Sequence, residues 1–71
     1  MAEVKLIYCG PDHVGVPTYV YRNERGREIE IIAWGPDTVW LYPTTDADAR
    51  GRQCAGLLSA QLEAMEILSH D

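Results

Sequence analysis

The residues able to do chemistry are few in this chain. Cys9, Asp12 and His13, joined by Cys54 or His70, are the only set that resembles a zinc ligand group. Protein zinc sites are usually built from closely paired ligands such as C-x-x-C. A lone C-x-x-x-H with scattered partners is a weak signal, so His13 reads as a solvated loop residue and His70 as a helix end. No metal and no cofactor are expected.

Nucleophilic catalysis has one candidate, Cys54 paired with a histidine. Cys54 falls in an apolar stripe, where a thiol is inert rather than activated. No nucleophile elbow, phosphate loop, nucleotide fingerprint or metalloprotease motif occurs. The acidic pairs Asp46/Asp48 and Glu63/Glu66 suit a helix start and a wet helix face. The expectation is a protein that is not an enzyme.

Cys9 and Cys54 are the two cysteines. They read most simply as free thiols of an intracellular protein, with a disulfide between them as the alternative.

The elements that must position these side chains follow from periodicity. Thr45 followed by Asp48 has the form of a capping box, and Asp46 and Asp48 would meet the positive end of a helix dipole. A helix is expected over 45–68, with Cys54, Leu57, Leu58, Leu62, Met65 and Leu68 within about 160° as its core stripe. Gly51 and Gly56 weaken its first half. Ala49, Ala60, Ala64 and Ile67 form a small apolar flank, from which a homodimer contact through Ala60, Ala64 and Ile67 is expected.

Upstream, short alternating segments separated by turn residues predict four strands, over 3–9, 16–22, 27–34 and 38–42. Short connections favour an antiparallel meander. The expected fold is α+β, ββββα, a four-stranded antiparallel sheet with one C-terminal helix on one face, in a single small domain over 1–71.

Alternation assigns Val4, Leu6, Val20, Ile29, Ile31, Val39 and Leu41 to the face beneath the helix. The other face would then hold Tyr19, Tyr21, Trp34, Trp40 and Tyr42, most of the chain's two tryptophans and four tyrosines. A contiguous aromatic patch of that kind marks a contact surface. A one-residue register change would move those residues to the other side.

Composition narrows the partner. The 71 residues carry 46% hydrophobic and 24% charged side chains, the balance of a folded domain. Net charge is −5, and every basic side chain lies at or before Arg52. Acidity opposes direct nucleic-acid binding, because base-stacking sheets interleave aromatics with Lys and Arg, whereas here Glu28 and Glu30 lie between them. A larger protein with a basic surface is the expected partner, contacted through Tyr19, Tyr21, Glu28, Glu30, Trp34, Asp37, Trp40 and Tyr42. No run approaches the roughly 18 apolar residues that span a membrane, and the N-terminus lacks signal-peptide features. The expectation is a soluble, cytoplasmic protein. Structural assembly as a homodimer, or a metal or redox role for the Cys and His residues, are the alternatives.

In size, acidity and lack of a catalytic signature, the chain resembles the small inhibitor proteins that phages carry against host defences, such as anti-CRISPR proteins. That resemblance rests on general plan and on no diagnostic motif. It implies that Asp12, Glu24, Glu28, Glu30 and Asp37 would meet a basic nucleic-acid channel and compete with phosphates there.

Overall fold

Alternating β-formers, punctuated by turn chemistry, assemble into one antiparallel sheet in the computed structural model, which describes residues 3–43 and 51–70. Strands β1 (Val4–Pro11), β2 (Pro17–Asn23), β3 (Glu28–Gly35), β4 (Thr38–Pro43) and β5 (Arg52–Cys54) lie in sequence order, followed by helix α1 (Leu57–Ser69). The fold is α+β, with the helix packed on one sheet face. It has one strand more than the sequence pattern predicts.

The turns are built as their residues dictate. Asp12 accepts the backbone N–H groups of Val14 and Val16 on one carboxylate oxygen, both at 2.9 Å, and Gly15 takes a positive φ of 85°. Those backbone donors, Val16 foremost, hold the Asp12 carboxyl below its ordinary range. Gly26 serves the next hairpin with φ 83°. Asn23 organises that hairpin by accepting from the N–H groups of Arg25 and Arg27, each at 3.0 Å.

The helix begins much later than predicted. Residues 52–54 continue the sheet instead, and Gly56 is fully extended at φ −178° with no side-chain cap. Two glycines within six residues left the helix no good place to start earlier. The proposed cap at Thr45, Asp46 and Asp48, together with Ala49, lies outside the described residues. Cys54 is accordingly a buried strand residue, not a helical one.

The helix also presents a different side to the sheet. Ala60 and Ala64 are 0% exposed and, with Leu68, form the buried stripe. They close over Tyr21, Ile29, Ile31, Val39, Leu41 and Cys54. Short alanine side chains let the helix axis approach the sheet, and the bulk that fills the layer comes from the strands. Leu58 and Leu62, expected inside, are 70% and 60% exposed, and Met65 lies outside with them. Ala60 and Ala64 therefore cannot be dimer contacts, because they are spent on the chain's own core. Ile67 remains exposed.

Register shows how two strand faces differ from the alternation read in sequence. Tyr19 pairs with Ile31 and Tyr21 with Ile29, so both tyrosines face the helix, while Val20 pairs with Glu30 on the opposite side. Buried Asn23 shares the phase of Tyr21 and donates from Nδ2 to the Leu68 carbonyl at 3.1 Å. This ties β2 to the C-terminal end of the helix. In β1 the register shifts between Leu6 and Tyr8, leaving Ile7 as the extra residue of a bulge. The bulge puts Tyr8 opposite Val20, away from the helix.

Candidate functional site

The sheet face not covered by the helix can be read row by row from the register. One row runs Tyr8, Val20, Glu30, Tyr42, and the next runs Thr18, Ile32, Trp40, Gln53. A third places Lys5, Arg22 and Glu28 side by side. The result is an apolar and aromatic centre bordered on one side by charge.

Trp40 and Tyr42 are successive residues on this face of β4, and their rings stack with centroids 6.2 Å apart and planes inclined by 22°. Tyr42 lies over Gly51, where any side chain would collide with the ring. Both aromatic residues are half-buried, so the pair is held in place while leaving surface for contact. Trp34 is the extra residue where the β3–β4 register shifts between Ala33 and Gly35, and it is 55% exposed.

The predicted contact set therefore divides. Trp40, Tyr42, Glu28 and Glu30 share the open face, with Trp34 and exposed Asp37 at the β3–β4 end. Tyr19 and Tyr21 belong to the opposite face, Tyr21 within the core and Tyr19 packed against it. A phase change of one residue in β2 accounts for both departures. Tyr8 was missed as a member of the open face, and alternation alone gives no sign of the bulge that brings it there. Its hydroxyl donates to the Pro11 carbonyl at 2.5 Å.

Electrostatics on the open face are uneven. Arg22 is paired to Glu28, its Nε donating to Oε2 at 2.7 Å. Glu30, half-buried on central strand β3, has no hydrogen bond or ion pair among the described residues. Its cross-strand neighbours are Val20 and Tyr42.

The cysteines and histidines do not converge. Among the described residues no three His, Cys, Asp or Glu side chains come together as a metal site requires. Cys9 and Cys54 are both free and sit on opposite edge strands, about 19 Å apart at ordinary strand spacing. Burial, then the neighbouring Glu63 carboxylate, pushes the Cys54 thiol above its ordinary pKa. Its Sγ donates to Glu63 Oε2 at 3.4 Å, and Glu63 also takes Arg52 at 2.6 Å. This is a satisfied buried thiol rather than an activated one.

A second exposed apolar surface lies on the helix, where Leu58, Leu62 and Met65 follow at i, i+4 and i+7. No described helix is long and apolar enough to cross a membrane. No family model, curated protein or solved structure matches the chain.

Proposed function

We infer that this protein acts by contact, binding a larger protein with a basic surface through the helix-free face of its sheet, in the manner of an inhibitor. The observation that carries the reading is the stacked Trp40–Tyr42 pair, held over Gly51 on the face opposite the helix and bordered by Glu28 and Glu30. Rigid aromatic anchors surrounded by polar groups are what interface centres are made of. Net charge of −5 adds long-range attraction for a basic partner. An inhibitor of a nucleic-acid-handling host protein, the role implied by the resemblance to phage anti-defence proteins, fits that chemistry.

Affinity purification from the source cells, followed by titration with the identified purified partner, tests this. Trp40→Ala and Glu30→Lys are expected to abolish retention, and Leu62→Ser to leave it intact. Retention that survives both open-face changes would remove the reading.

A second reading, self-association, is favoured by a different observation. Leu58, Leu62 and Met65 form an exposed stripe that no other described residue covers. A homodimer would use this stripe and not the alanine flank. Sedimentation at high micromolar concentration, wild type against Leu62→Ser, decides it; a wild-type monomer rules it out.

A further inference from the structure

We propose that the open sheet face is built to receive an arginine side chain of the partner, with Glu30 as the counter-charge and Tyr42 and Trp40 as the stacking surface. This names the chemistry of the contact and rests on the binding reading above.

The observation is the exceptional state of Glu30 among the half-buried acids. Asp12 is bound by its own loop, Glu28 holds Arg22, and Glu63 holds Arg52. Glu30 alone among them has no partner within the described residues. Val20 and Tyr42 lie directly opposite it and Trp40 lies on one diagonal, while Arg22, on the other diagonal, is held by Glu28.

A carboxylate partly removed from water beside apolar groups attracts a cation more strongly than one in bulk solvent. Aromatic faces carry negative quadrupole charge, so Tyr42 and Trp40 favour the same sign of ligand. Carboxylate and rings together select a cation and reject an anion, a phosphate included. Guanidinium suits the pair better than ammonium, because its plane can stack on a ring while its N–H fork meets the carboxylate. Among the described residues arginine already pairs with glutamate internally, Arg22 with Glu28 and Arg52 with Glu63.

The test is an NMR titration of the isotope-labelled full chain with the capped peptide Gly-Arg-Gly, and with matched peptides carrying lysine or citrulline. Citrulline keeps the planar shape and lacks the charge. Saturable shifts are expected at the Trp40 indole N–H and at the Glu30 and Tyr42 amides, with affinity on the order of millimolar. Arginine should bind at least about threefold tighter than lysine, and citrulline should not bind. Glu30→Gln should weaken arginine binding about tenfold, and Tyr42→Leu comparably, whereas Glu66→Gln on the helix should change nothing. The amide spectrum of each variant reports that it is folded. Shifts absent from Trp40 and Tyr42, or equal binding of arginine with lysine or citrulline, would overturn the proposal. If that happens while the whole partner still binds in a Trp40-dependent way, the arginine assignment falls and the wider reading stands.

Discussion

The ring of Tyr42 rests on Gly51, so close that a methyl group there would overlap Cε1 and come within 2.7 Å of Cδ1 and Cζ. Glycine at this position is a requirement of the aromatic pair and not of backbone conformation. Gly51→Ala is expected to push Tyr42 off its stack with Trp40, at an overpacking cost of about 1–3 kcal/mol. Near-ultraviolet circular dichroism and a urea melt check this: the aromatic signal should fall while the far-ultraviolet spectrum persists.

Asn23 joins the β2–β3 hairpin to the end of α1 through three hydrogen bonds. Asn23→Ala removes all three and leaves the buried Leu68 carbonyl without its side-chain donor, an expected loss of about 1–3 kcal/mol. Asn23→Asp keeps the acceptor but loses the donor and sets a negative charge near the negative end of the helix dipole. That variant should be destabilised at neutral pH and recover partly as pH falls towards about 4, because a carboxyl disfavoured in the fold regains its proton there above the pH at which the unfolded chain does. Urea midpoints across pH measure both.

The helix offers a test of its own orientation. Ala64→Leu should destabilise the fold by about 1–3 kcal/mol, because the site is fully buried. Leu62→Ser should cost no more than about 0.5 kcal/mol if the exposed face is unpartnered. The face expected from sequence hydrophobicity demands the reverse order.

That reversal shows where the sequence was legible. Turn residues such as Asp12, Gly26 and Pro36 delimited the first four strands to within a few residues. The aliphatic phases of β3 and β4 were also correct, because Ile29, Ile31, Val39 and Leu41 point inward. Of the stripe expected inside, Cys54, Leu57 and Leu68 do pack in or against the core, but Leu58, Leu62 and Met65 face out, because hydrophobicity ranks leucine above alanine whereas close packing on a sheet of bulky residues requires alanine. The β2 phase was misread because valine and tyrosine suit either face, and the inward commitment of Asn23 depends on a helix 45 residues away. Two bulges, at Ile7 and Trp34, shifted side chains with no local signal. Of the candidate site, Trp40, Tyr42, Glu28 and Glu30 were legible because their strands kept regular alternation.

The two thiols should separate cleanly. Exposed Cys9 is expected to react promptly with a thiol reagent and buried Cys54 only on unfolding. Since the Cys54 pKa is raised from 9.0, chiefly by burial, its protonated form is favoured in the fold. Its contribution to stability is full below about pH 9 and is lost as pH rises through the folded-state value. Urea melts from pH 7 to 10 should show that slope in Cys9→Ser and not in the Cys9→Ser, Cys54→Ala double variant.

Site-specific photo-crosslinking in the source cells is the most direct test of the contact surface. Gln53 is exposed and lies opposite Trp40 on the open face, while Ser59 is exposed on the helix. A photoreactive residue at position 53 should join the chain to one larger, basic protein, and one at position 59 should not. Crosslinks from position 59 alone, or from position 53 only to a second copy of this chain, would contradict the account.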